Sequence, residues 1–219
     1  MEYTLQAVVS WCSLNGMVYK SFLATLFFFS LGVSLMNSSE VDAKTKAVQT
    51  PAKAQYETAI LAGGCFWGVE DLFRAEKGVI KTEVGYTGGT SGEKAKYEFV
   101  KQGNTGHAES IKITFDPSVL TYKKLLLFFF EIHDPTTINQ QGNDRGSQYR
   151  SEIFYLTDAQ KKDAEEIKAR VDKSGQWKKP VVTVISKSGE FYSAEEYHQK
   201  YLVKNPGGYT CHWNRKLDF

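Results

Sequence analysis

The strongest chemical signal in the sequence is a cysteine set where an apolar run stops at two glycines and a helical pattern begins. Gly63-Gly64-Cys65-Phe66-Trp67-Gly68 follows Thr58-Ala59-Ile60-Leu61-Ala62 and precedes Val69, Leu72 and Phe73, which recur at helical spacing. A thiol at a helix N-terminus meets unpaired N–H groups and the positive end of the helix dipole, which favour the attacking thiolate and predict a lowered pKa. Glycines let a substrate approach the backbone closely, and Phe66 and Trp67 could wall an apolar pocket beside the sulfur. The same letters also fit a buried, inert cysteine.

Three further segments carry chemistry. Gly103-Asn104-Thr105-Gly106-His107-Ala108-Glu109 ends on a glutamate at the entrance of an alternating strand. A desolvated carboxyl there would keep its proton and could pass it to a leaving oxygen; a solvated strand-end glutamate would do nothing. Gln141 to Ser151, which includes Asp144 and Tyr149, is long for a connecting loop and dense in hydrogen-bonding side chains. Cys211 follows Asn205-Pro206-Gly207-Gly208-Tyr209-Thr210. A thiol on such a tail could swing to resolve an oxidised partner, or be incidental. His107, His133, His198 and His212 lack i, i+4 and HExxH spacing, and no CxxC pair occurs, so no metal site is expected. A Cys–His hydrolase pairing Cys65 with His107 or His198 stays open, because such pairs meet only in the fold.

The elements that must position these groups follow from periodicity. Strands are expected at Thr58–Ala62, Val79–Tyr86, around Ile111 to Phe115, around Ile153 to Tyr155, and at Val181–Ile185. Helices are expected after Cys65, from a Thr121 cap through Ile132, from the capping box Thr157-x-x-Gln160 to Gly175, and from Ser193-x-x-Glu196 through Tyr201. Strands and helices alternate with no repeat, which predicts one α/β or α+β domain with a mixed sheet and an irregular C-terminal tail.

The 219 residues, 42% hydrophobic and 24% charged, exclude wholesale disorder. A net charge of +2 is too even for a protein that binds nucleic acid by neutralising phosphates. Three cysteines, Cys12, Cys65 and Cys211, are too few for a disulfide scaffold. Lys20, the uncharged apolar run Ser21–Leu35 and the small-x-small exit Val41-Asp42-Ala43 have the parts of a secretory signal. The run is shorter than the roughly 20 residues of a membrane-spanning helix. The expected organisation is therefore a signal peptide or N-terminal anchor over 1–43, a polar linker over 44–55 and a single catalytic domain over 56–219. Cleavage would make the mature protein periplasmic or secreted. Met17 is the more conventional start, since residues 1–16 carry Glu2 and no base.

Taken in order, Gly64-Cys65-Phe66-Trp67-Gly68, Tyr97-Glu98-x-Val100 with Gly106-His107-Ala108-Glu109, His133-Asp134-Pro135-Thr136, and Gln141-Gly142-Asn143-Asp144-x-Gly146-x-Gln148-Tyr149-Arg150-Ser151 resemble the peptide methionine sulfoxide reductase A family. The resemblance covers about Tyr56 to Trp213. It implies a two-layer, ferredoxin-like fold and reduction of methionine S-sulfoxide, free or in proteins. It also implies that Cys65 is the nucleophile, Glu109 the acid, Tyr97 and Tyr149 donors to the sulfoxide oxygen, Asp144 an organiser of the site, and Phe66 and Trp67 the seat of the substrate methyl. A Cys65 sulfenic acid would then be resolved by Cys211 and recycled by thioredoxin or another dithiol, in a monomer with no bound cofactor. Gly68 leaves no second cysteine beside the nucleophile, and the tail reads Gly-Tyr-Thr-Cys, so a relay through two tail thiols is absent.

Overall fold

A computed structural model describes residues 55–219; the expected signal or anchor segment, all but the last residue of the expected linker, and Cys12 lie outside the described residues. The elements run β1 (Glu57–Gly63), α1 (Phe66–Ala75), β2 (Val79–Thr87), α2 (Tyr97–Val100), β3 (Ala108–Phe115), α3 (Tyr122–Ile132), β4 (Gln140–Gln141), β5 (Asp144–Arg145), β6 (Ser151–Tyr155), α4 (Asp158–Ser174), β7 (Val184–Lys187), β8 (Tyr192–Ser193) and α5 (Tyr201–Lys204). Six strands form one sheet in the order β7-β6-β1-β3-β2-β8, and β4-β5 is a separate hairpin. The sheet is mixed: β6 and β7 pair in parallel, the other neighbours antiparallel.

β1 lies between β3 and β6 and is covered on both faces, which is why Thr58–Ala62 reads as a continuous apolar run rather than an alternating one. Ala59 and Leu61 of β1, with Ile111, Ile113 and Phe115 of β3, meet Val69 and Phe73 of α1, Leu125, Leu126, Phe129 and Phe130 of α3, and Ala164, Ile167 and Val171 of α4. On the other face Ile60, Ala62, Ala108 and Phe154 pack under Phe191.

Local signals fix the helix ends. Thr121 Oγ1 accepts from Lys124 N at 3.4 Å and Thr157 Oγ1 from Gln160 N at 3.2 Å, both as N-caps. The capping box is modified: Gln160 reaches back to Leu156 N at 2.9 Å, and its amide donates to Thr58 O at 2.8 Å, tying α4 to β1. Gly175, at φ 68°, ends α4 in the left-handed conformation.

Two expected elements are corrected. Residues 181–183 do not enter the sheet, because Val181 N donates to the Asp172 carboxylate at 2.7 Å and Val182 N to Pro135 O at 2.8 Å; the strand starts at Val184. Ser193 opens no helix. It sits in β8 opposite Gly85, its hydroxyl donates to Glu83, and only Tyr201–Lys204 of the segment is helical. The ladder to β2 outcompetes the cap.

Phe129 is fully buried and stacks on His133 with ring centroids 4.0 Å apart. Phe129→Ala should cost about 3–5 kcal/mol, and the cap variant Thr157→Ala about 1 kcal/mol. Urea unfolding followed by far-UV circular dichroism checks both values.

Candidate active site

The register Leu61↔Ile111 lays the end of β1 beside the start of β3. Cys65, at the N-cap of α1, and Glu109, in β3, therefore meet although 43 residues separate Phe66 from Glu109. Phe66 N, at the head of α1, donates to Glu109 Oε2 at 3.2 Å, and Trp67 N is aimed at the Cys65 sulfur. Gly64 adopts φ 104°, and a side chain there would collide with Gln141 Cγ at 2.5 Å, so only glycine lets the chain turn from β1 into α1 at this point.

Gln141 is held by Asp134, whose N–H donates to its Oε1 at 2.9 Å. The polar stretch thus becomes the β4-β5 hairpin, and its second strand begins with Asp144. Tyr149 ends the following turn, pinned by Ser147 Oγ to Gly103 O (2.7 Å) and by Gln148 Nε2 to Lys101 O (3.2 Å). Tyr97 opens α2, its N–H donating to Glu195 Oε1 at 2.9 Å; Tyr86 O–H takes the other oxygen at 2.9 Å. Cys65, Phe66, Trp67, Tyr97, Glu109, Asp144, Tyr149 and Tyr209 line one cavity of about 150 Å³. A larger cleft of about 650 Å³ beside β2 and β8 is lined by charged side chains and contains no thiol.

Burial dominates the electrostatics. Glu109 is 3% exposed, and desolvation lifts its pKa to about 8 against the opposing Phe66 N–H bond. Tyr97 and Tyr149 are also pushed up, by burial first and then by the nearby carboxylates, so both phenols stay protonated donors. The expectation of a lowered Cys65 pKa is overturned. Cys65 is 7% exposed, and burial followed by the Glu109 charge raises its pKa beyond what the Trp67 N–H can offset. Burial therefore favours the neutral thiol over the thiolate.

Cys211 stands outside the cavity lining but against it. Its Sγ lies 3.4 Å from Asp144 Oδ2, which also accepts from Tyr209 O–H at 3.1 Å. Neither Cys65 nor Cys211 is in a disulfide.

The peptide methionine sulfoxide reductase family model matches residues 57–218. A peptide methionine sulfoxide reductase from Mycobacterium sp. (strain MCS) is 53% identical over 162 residues, covering 74% of this chain and 92% of that protein. The chain belongs to the peptide methionine sulfoxide reductase family. Among solved structures, reduced Mxr1 from Saccharomyces cerevisiae matches with a TM-score of 0.71 at 41% identity, covering 75% of this chain and 95% of that one. Mxr1 in complex with Trx2 matches at 0.51 and 27% identity, with coverages of 76% and 97%. As a member of the reductase family, the protein is a thiol-dependent oxidoreductase acting on methionine sulfoxide.

The reductase's histidines do not support hydrolysis. His107 is held by Gly89 N (3.2 Å) and Ser91 O (2.9 Å), and His198 Nδ1 accepts from Trp67 Nε1 at 3.0 Å; neither lines the cavity. His133 donates from Nδ1 to Phe129 O at 2.6 Å, which leaves Nε2 to accept from Ser151 O–H at 2.8 Å, a structural pairing. No three metal-ligating side chains cluster among the described residues. Tyr209 in the cavity lining, Glu195, and Tyr201, which stacks on Trp67 at 3.7 Å, join the site without a motif of their own, and His198, a candidate partner for Cys65, instead supports Trp67. The sequence signal for Glu195 and Tyr201 is their place in the same short segment as His198.

His198 is buried and its pKa is lowered by desolvation, so it stays neutral and keeps its Nδ1 lone pair for the indole. His198→Phe retains an aromatic ring but removes that acceptor. It should raise KM about 2–10-fold with a smaller change in kcat, the scale of one hydrogen bond; steady-state kinetics with a methionine sulfoxide peptide checks the split.

Proposed function

We propose that this protein reduces the S epimer of methionine sulfoxide, free or in proteins, with Cys65 as nucleophile and Cys211 as resolving thiol. The observation that carries the assignment is the single cavity joining a buried thiol, a neutral carboxyl and two phenols. A sulfoxide sulfur becomes electrophilic only when its oxygen is protonated or strongly hydrogen-bonded. Glu109 supplies the proton and Tyr97 and Tyr149 donate to the same oxygen, while Phe66 and Trp67 enclose the methyl group and Asp144 organises the opposite wall.

Cys65 yields its proton to Glu109 as Glu109 delivers its own to the oxygen, so the carboxyl finishes as it began. The sulfur of Cys65 takes the hydroxyl, becoming a sulfenic acid, and methionine leaves. Cys211 then displaces that hydroxyl as water, forming the Cys65–Cys211 disulfide, which a dithiol reopens by exchange. Thioredoxin is the proposed dithiol, supported by the relative that forms a complex with Trx2. No bound cofactor is required by these steps, and the protein acts as a monomer.

The β6-β1-β3-β2 order with α1 and α3 crossing between strands supports reading the core as ferredoxin-like, with an irregular tail from Gly208 onward. Export rests on the Ser21–Leu35 run and places the mature start near Lys44. Intact-mass measurement of the exported protein should lack Phe27-Phe28-Phe29; finding that peptide would instead indicate an anchor.

Glu109→Gln preserves shape but not the proton, so single-turnover methionine formation should fall about 10²–10⁴-fold with substrate binding retained. In the unaltered enzyme the acid form of Glu109 is present below about pH 8 and is lost above it. The same rate should therefore be level on the acid side and fall about tenfold per pH unit on the alkaline side. An unchanged rate in the variant refutes the acid assignment.

A further inference from the structure

His212 follows Cys211 and is almost wholly buried. Its Nε2 lies 2.7 Å from Gly63 O, a carbonyl that can only accept, so Nε2 carries the ring proton. Nδ1 is then an open lone pair, and its single hydrogen-bond partner among the described residues is Cys211 Sγ at 3.5 Å. The ring has a built seat. A side chain at Gly68 would meet Thr210 Oγ1 at 2.2 Å and His212 Nδ1 at 2.8 Å, and one at Gly64 would meet His212 Cε1 at 3.2 Å. Two glycines of the nucleophile's own motif thus make room for an imidazole that points at the second thiol.

We infer that His212 is the general base of the resolving step, taking the proton of Cys211 through Nδ1 as that sulfur attacks the sulfenic acid on Cys65. The inference rests on Cys211 being the resolving thiol. Asp144 Oδ2 accepts from Sγ at 3.4 Å as well as from Tyr209 O–H, but its negative charge opposes the Cys211 thiolate, whereas an imidazole that takes the proton becomes a cation that stabilises it. Burial and the Asp144 contact push the Cys211 pKa up to about 12, so without a base almost none of it is thiolate near neutrality.

In the step itself the Cys211 sulfur–carbon skeleton is unchanged. Its S–H bond breaks toward Nδ1, a sulfur–sulfur bond forms to Cys65, and the sulfur–oxygen bond of the sulfenic acid breaks. The departing hydroxyl takes the Glu109 proton and leaves as water. Solvent returns the imidazolium proton to Glu109, so both groups are reset. Cys65 sulfur is reduced and Cys211 sulfur oxidised by the same electron pair. The transient thiolate and imidazolium stabilise each other, as in other cysteine–histidine pairs.

His212 must be neutral for this role. Desolvation lowers its pKa to about 4; of the charged neighbours Arg215 works in the same direction and Asp144 against it, and His133 is the other imidazole in range. Resolution in the unaltered enzyme should therefore be level from about pH 5 to pH 7, where direct ionisation of Cys211 would make it climb tenfold per unit.

The test uses the full chain, reduced and mixed with one equivalent of methionine S-sulfoxide peptide without dithiol. Methionine release and the Cys65–Cys211 linkage are followed in the same quenched samples by peptide mass mapping. His212→Gln keeps an amide donor for Gly63 O but no acceptor for Cys211. Disulfide formation should slow by roughly 100-fold relative to methionine formation, and recover tenfold per pH unit as the medium ionises the thiol. Equal slowing of both steps, or resolution at the unaltered rate, overturns the inference. Should the variant not fold, a tenfold-per-unit rise between pH 5 and 7 in the unaltered enzyme overturns it instead, and a level profile upholds it. Absence of the Cys65–Cys211 linkage in the unaltered enzyme would count against Cys211 as resolver, which is a different failure.

Discussion

The site depends on one contact, the Phe66 N–H donated to the Glu109 carboxyl across two neighbouring strands. It joins the first turn of α1 to the start of β3, between groups that are almost wholly buried. The helix terminus would ordinarily spend its free amides on the thiol; here one goes to the carboxyl and the next toward the sulfur. Neither acquires enough to hold a negative charge against burial, so both keep their protons. In the proposed reaction, activation waits for the sulfoxide oxygen that accepts one.

The surrounding structure serves that pairing. The β4-β5 hairpin is closed by Gln141 and Asp134 and sets Asp144 beside the tail, while Glu195 grips Tyr97 through its backbone and Tyr86 through its hydroxyl. Trp67 is fixed from two sides, by the His198 lone pair and by the Tyr201 ring. Rigidity comes from hydrogen bonds that span long sequence separations and converge on a short stretch of backbone.

Much of this was legible beforehand because it is local. The Thr121 and Thr157 caps, the buried β1 run and the alternation of Ile111, Ile113 and Phe115 are written in neighbouring residues. Cys65, Phe66, Trp67, Tyr97, Glu109, Asp144 and Tyr149 stand out through ordered motifs and do line one cavity. What failed was competition between distant partners. Ser193 has the letters of a cap but pairs with Gly85, and Val181 has the letters of a strand but donates to Asp172. The Cys65 pKa departs from the sequence expectation for the same reason: a helix terminus is visible in sequence, whereas the depth of a pocket is a sum over the whole fold.

A sulfur stored as buried thiol has a bearing on what it will ignore. Peroxides and alkylating agents react with exposed thiolates, and Cys65 offers neither exposure nor charge at rest. On the proposed roles, such shielding would leave the nucleophile to react in company with the lesion rather than with the oxidants around it.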